Sequence, residues 1–143
     1  MNYFANKIDL LHDLSEKKNP LLLYKTAISE FNELAECEFR RGTTANQLIA
    51  DRASFVDSIM QSAWGRFNWN QNLTSWRKTR ISLLAVGGYG RSELHPHSDI
   101  DLLILLERSN YDLHRENIQS FVTLLWDIGL EVGHSVRSLK ECR

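Results

Sequence analysis

Two carboxylates one residue apart, Asp99 and Asp101, are the residues best placed to carry out chemistry. If the segment is a strand, both side chains point to the same side, with α-carbons about 6.5 Å apart. Like charges beside the apolar run Leu102 to Leu106 repel and lose hydration, a cost that a bound cation relieves. Oxygen ligands favour a hard ion such as Mg²⁺. Alone, the pair is a weak signal, because two solvated aspartates at a strand end show the same pattern.

A glycine pair, Gly87-Gly88, comes directly after the mostly apolar run 81–86, which predicts a buried strand. Without Cβ atoms the chain can turn tightly and present backbone N–H groups to phosphate oxygens. Arg91 could add a charge-assisted contact to the same phosphates. A Gly-Gly pair alone is typical of an ordinary tight turn. A strand, a glycine turn and then paired aspartates together favour phosphoryl or nucleotidyl transfer.

Two other motifs match less well. A dinucleotide-binding fingerprint would need a small residue where Glu93 stands. The string His95-x-His97-x-Asp99 begins like a binuclear zinc site, but Ile100 occupies the position of the next expected histidine. Zinc is therefore a minor alternative to magnesium.

Composition excludes several classes of protein. The 143 residues include 17 Lys+Arg and 18 Asp+Glu, so a net charge of −1 gives no overall reason to expect nucleic-acid binding. Two widely separated cysteines fit a reducing compartment. We find neither a signal peptide nor an apolar run approaching the ~20 residues of a membrane span. These features predict a soluble cytoplasmic protein with no membrane or nucleic-acid partner.

The elements that must position these residues follow from hydrophobic periodicity. Helical spacing predicts one helix from Pro20 to a stop at Gly42 and a second that Thr43 or Thr44 caps. After the first strand and its turn, we expect strand 99–106, a helix from about 110 to 129, and strand 131–137, where His134 should pack on the apolar face. An aromatic cluster should pack in the core; its members are Trp64, Phe67, Trp69 and Trp76. The predicted domains are an N-terminal helical segment, 1–78, and a catalytic core, 79–143.

The spacing Gly87-Gly88, ten residues, Asp99-Ile100-Asp101 resembles the signature of the DNA polymerase β-like nucleotidyltransferase superfamily. The longer strings GGYGRSELHPHSDIDLLILL and LWDIGLEVGHSVRSLKEC are similar to one family within it. That family is the bacterial bifunctional uridylyltransferase/uridylyl-removing enzyme, which modifies the PII nitrogen-regulatory protein. The resemblance implies an α+β, polymerase β-like fold: a short mixed sheet with helices, preceded by an N-terminal helical segment.

The resemblance also implies a reaction, in which UMP passes from UTP to a tyrosine of PII and pyrophosphate is released. By motif position, Asp99 and Asp101 would be the catalytic residues and would coordinate Mg²⁺. The expected nucleotide-binding residues are Gly87, Gly88, Arg91 and Ser98.

In the superfamily, a third acidic residue usually lies on a later strand. In this sequence the predicted strand 131–137 has no acidic residue after its first position. Glu131 is one candidate, and a residue beyond Arg143 is the other. The hydrolase and sensing regions of such enzymes are also not in the sequence, so we expect an N-terminal fragment with an incomplete site. Two alternatives remain open: a related nucleotidyltransferase with another nucleotide or acceptor, and a domain that binds a nucleotide or partner without catalysis.

Overall fold

The computed structural model describes residues 21–69, 80–91, 94, 99–107 and 111–141. Its elements are α1 (Leu21–Arg40), α2 (Ala45–Gly65), β1 (Ile81–Val86), the single turn α3 (Gly87–Gly90), β2 (Ile100–Leu106), α4 (Tyr111–Asp127) and β3 (Val132–Ser138). The predictions for Pro20, Trp76, His95, His97 and Ser98 fall outside the described residues.

Glycines end two of the long helices, as the sequence predicts. Gly42 and Gly129 both have φ +98°, a left-handed conformation in which a side chain would be strained. In each case the residue after the glycine donates its N–H to a carbonyl five residues earlier, Thr43 to Glu38 at 3.0 Å and Leu130 to Leu125 at 3.1 Å. Carbonyls that a helix end would leave unpaired are thereby satisfied.

The three strands form one mixed sheet in the order β1-β2-β3. β1 pairs antiparallel with β2, while β2 and β3 are parallel and joined through α4. The register places Val86 and Gly133 on either side of Asp101. The predicted α+β fold with a short mixed sheet is confirmed.

One face of the sheet is covered by helices. Ile100 and Leu102 belong to a buried cluster that includes residues of α1, α2 and α4, such as Phe31, Ile59 and Phe121. This core spans the boundary that the sequence placed at residue 78, and the division into 1–78 and 79–143 stays a prediction.

The opposite face of the sheet is open in the part of the chain described here. Asp101 is exposed there, and Leu103 and Leu105 are half-buried. β1 is not the buried strand that its sequence predicts: among the described strands its one neighbour is β2, and Leu84 is 40% exposed. His134 is likewise exposed rather than packed, and its strand, β3, is the other outer strand of the described sheet.

Two sets of contacts join the helices. The Tyr24 hydroxyl and the Ser62 hydroxyl share a buried hydrogen bond of 2.6 Å between α1 and α2. Beyond the end of α2, the ring of Trp69 stacks on Trp64 with centroids 3.9 Å apart, and Trp64 meets Phe121 of α4 edge-on at 5.1 Å. Trp64, Phe67 and Trp69 are partly buried and pack against the core, so the prediction is confirmed for these three residues. Among the described residues, no helix combines the length and apolarity needed to cross a membrane.

Candidate active site

The carboxylate of Asp101 lies between two glycines. A Cβ built on Gly87 would be 2.8 Å from its Oδ2, and a Cβ built on Gly133 would be 3.4 Å from its Oδ1. A side chain at position 87 would crowd the carboxylate, and one at position 133 would touch it, so the glycines keep the space beside it open. The sequence predicted Gly87 as a nucleotide-binding residue, which stays a prediction, and it missed Gly133, which only the parallel pairing of β2 with β3 brings to Asp101.

The glycine turn is held close to the end of β1. Gly87 has φ +61°, a conformation that an L side chain rarely adopts. A Cβ on Gly90 would come within 2.7 Å of the Ala85 carbonyl oxygen, so this glycine allows the turn to lie against the strand backbone. The Arg91 backbone N–H closes the turn by donating to the carbonyls of Gly87, at 3.3 Å, and Gly88, at 3.1 Å.

Asp99 immediately precedes β2 and lines a shallow depression of about 350 Å³. Glu131, Gly133 and Trp126 line the same depression. The indole N–H of Trp126 donates to the Val132 carbonyl at 3.1 Å, which fixes the ring although it is 59% exposed. Gly133 thus adjoins both the depression of Asp99 and the carboxylate of Asp101.

Both aspartates are exposed to solvent, whereas their neighbours Ile100 and Leu102 are at most 2% exposed. The expectation that burial makes the pair costly without a cation is therefore wrong. The two side chains remain hydrated because strand alternation turns them away from the core.

Oxygen donors beside an open, glycine-lined space fit a hard divalent cation. Across the described residues, however, no three His, Cys, Asp or Glu side chains form a group that could hold a metal ion. Asp99 and Asp101 could thus hold Mg²⁺ only together with further oxygens, such as those of a bound phosphate.

Sequence reasoning missed two buried polar side chains, Tyr89 in the turn and His114 in α4. Tyr89, within the turn, is 5% exposed, and its hydroxyl donates to Asp57 Oδ1 of α2 at 2.5 Å. Burial, together with the neighbouring carboxylate, raises the pKa of Tyr89, so the hydroxyl stays protonated. His114 of α4 is fully buried, and neither ring nitrogen has a hydrogen-bond partner in the described structure.

A glycine turn beside an Asp-x-Asp strand in a mixed sheet is typical of proteins that transfer nucleotidyl groups. A family model described as a nucleotidyltransferase domain matches residues 70–142, and the chain belongs to this family. Its members generally use a divalent metal. No solved structure matches the chain.

The names of the curated relatives describe a more specific activity than the family model does. The chain is 52% identical to the bifunctional uridylyltransferase/uridylyl-removing enzyme of Ectopseudomonas mendocina, and 51% identical to that of Azotobacter vinelandii. A relative of the same name from Pseudomonas fluorescens Pf-5 is 50% identical. Each match covers 91% of this chain but 14% of the relative. The resemblance to this family is confirmed, and the chain spans about a seventh of the relatives' length.

Proposed function

We propose that this chain is the nucleotidyltransferase region of a cytoplasmic uridylyltransferase. It transfers UMP from UTP to a tyrosine of the PII signal protein and releases pyrophosphate. The observation that carries the proposal is the exposed Asp101 carboxylate between Gly87 and Gly133, beside a turn of backbone amides. The names of the curated relatives support uridylyl transfer over other nucleotidyl transfers.

The residues of the site have separate tasks in this proposal. Asp99 and Asp101 supply carboxylate oxygens for Mg²⁺, which when bound neutralises charge on the triphosphate and makes the acceptor hydroxyl a better nucleophile. Gly87 and Gly88 let the triphosphate approach the backbone of the turn closely.

Arg91 and Ser98 complete the proposed nucleotide contacts, the first as a cation and the second as a hydroxyl donor. In the transfer, the tyrosine oxygen bonds to the α-phosphorus, the bond from that phosphorus to the bridging oxygen breaks, and pyrophosphate leaves.

Binding can be tested by titrating the chain with UTP, ATP, CTP and GTP, each with and without Mg²⁺. We expect UTP to bind, weakly and only with Mg²⁺, and Asp101→Asn to reduce that affinity about tenfold or more, a change of about 1.4 kcal/mol. Asp51→Asn is the matched control, because Asp51 is a carboxylate of α2 whose described contact is with Gln47. Binding without Mg²⁺, or equal affinities of the two variants, would favour a non-catalytic domain. A preference for another nucleotide would favour the related nucleotidyltransferase.

Transfer can be tested in a chimera in which this chain replaces the matching segment of a curated relative. With labelled UTP and PII, we expect the chimera to label PII and the chain alone to label it little or not at all. Turnover by the chain alone would show that its third acid is already present, and Glu131→Gln should then abolish it. If the chain alone is inactive and Glu131→Gln leaves the chimera active, the third acid lies beyond Arg143.

A further inference from the structure

The hydrogen bond from Tyr89 to Asp57 links the glycine turn to helix α2. It joins residues 32 positions apart, a side chain of the turn and a side chain of α2. Tyr89 is buried, whereas Asp57 is exposed to solvent. A hydrogen bond from a hydroxyl to a carboxylate oxygen is charge-assisted and among the stronger hydrogen bonds in proteins.

Packing alone does not fix the ring of Tyr89. A cavity of about 230 Å³ lies beside it, between α2 and the sheet, and is lined by residues that include Gln61, Trp64, Leu83 and Leu102. Tyr89 also lines this cavity, so its packing against the core is incomplete on that side. The hydroxyl bond therefore restricts a side chain that its neighbours leave partly free.

The other side of the turn is already constrained. Gly90 lies against the Ala85 carbonyl, and Gly87 lies against the Asp101 carboxylate. A four-residue turn held at two points on the sheet can still tilt about them. Tyr89 lies between these glycines in sequence, and its bond to Asp57 holds the turn at a third point, on helix α2.

We propose that Asp57 and Tyr89 are positioning residues that fix the orientation of the glycine turn toward a bound triphosphate. The proposal rests on the proposed function, since it assigns the turn to the nucleotide. It gives helix α2 a role in substrate binding although α2 packs against the face of the sheet that carries Ile100 and Leu102, not the face of Asp101.

The experiment is a double-mutant cycle on this chain with Tyr89→Phe, Asp57→Ala and both together. Three quantities are measured: affinity for UTP with Mg²⁺, thermal stability, and hydrogen exchange of the amides of residues 87–91. We expect each single variant to bind about fivefold more weakly, as loss of one hydrogen bond implies. The double variant should lose no more than either single variant, because both remove the same bond.

Two further variants separate positioning from general stability. Asp57→Asn keeps an oxygen acceptor for the Tyr89 hydroxyl and should restore affinity to within about twofold of the unaltered chain. Tyr24→Phe removes the buried hydroxyl bond to Ser62, which lies away from the turn. It should lower thermal stability as much as Tyr89→Phe does, without changing UTP affinity or exchange at residues 87–91.

Faster exchange confined to residues 87–91 in Tyr89→Phe, with weaker UTP binding, would support the proposal. Unchanged affinity in folded variants would overturn it, and so would additive losses or exchange that rises throughout β2 and α2. If the unaltered chain binds no nucleotide, the proposed function fails. The exchange rates then still decide whether Asp57 holds the turn.

Discussion

The two faces of the sheet differ in what they contribute, and strand β2 shows the difference within seven residues. On the covered face, Ile100, Leu102, Ile104 and Leu106 are each at most 2% exposed. On the open face, Asp101 is exposed, and Leu103 and Leu105 are half-buried. Because strand side chains alternate, one strand can stabilise the fold with one set of residues and offer ligands with the other.

The largest effect should come from the covered face. We expect Ile104→Ala to lower the free energy of unfolding by about 2–5 kcal/mol, because it leaves a cavity in a fully buried site. Leu103→Ala, the neighbouring change on the open face, should cost about 1 kcal/mol, since that side chain is already partly in water. Urea denaturation of both variants measures the difference. Equal losses would mean that the open face is covered in solution.

Gly87 tests whether the open face serves binding. Gly87→Ala and Gly42→Ala should each cost about 1–2 kcal/mol of stability, because both glycines have positive φ. A Cβ on Gly42 meets nothing within 4 Å, whereas one on Gly87 would contact Asp101. Titration with UTP and Mg²⁺ should therefore show weaker binding for Gly87→Ala alone. An equal loss of UTP affinity in Gly42→Ala would mean that backbone strain, and not contact with Asp101, causes the effect.

The buried His114, on the covered side of the sheet, should make the stability of the fold depend on pH. Burial lowers the pKa of His114 from the ordinary 6.5. The unfolded chain then binds more protons at mildly acidic pH, so protonation of His114 should cost no stability above about pH 6.5 and should destabilise the fold as pH falls toward the lowered pKa.

Thermal melting between neutral and mildly acidic pH measures this dependence. His114→Leu should flatten it and leave stability at neutral pH unchanged or higher, because two unpartnered nitrogens are removed. The exposed His134 is the control, and His134→Gln should leave the profile as it is. An unchanged profile in His114→Leu would show that other groups carry the dependence.

The smallest effect on stability should come from the aspartates. Without Mg²⁺, Asp99→Asn and Asp101→Asn should each change the free energy of unfolding by no more than about 0.5 kcal/mol, because both side chains are solvated. Urea denaturation in the presence of a chelator checks this expectation. A large loss in either variant would make the carboxylate structural and would contradict its assignment as a metal ligand.

Local features of the molecule could be predicted from the sequence because their causes are local. Gly42 and Gly129 end helices, and Thr44 caps α2 by accepting the N–H of Gln47 at 3.2 Å. The strand predicted over 99–106 is present as β2, Ile100–Leu106. The glycine-to-aspartate spacing also predicted the nucleotidyltransferase family, and the match to that family's model confirms it.

Tertiary structure alone decided which strands lie at the sheet edges and which residues meet across the chain. An apolar run predicts a strand but not its neighbours, so the exposure of β1 and His134 could not be foreseen. Gly133 meets Asp101 through a parallel pairing, and Tyr89 meets Asp57 across 32 residues. Periodicity reports only which side of an element faces a core. The partner on that side depends on how distant elements pack, and that packing determines how this site is built.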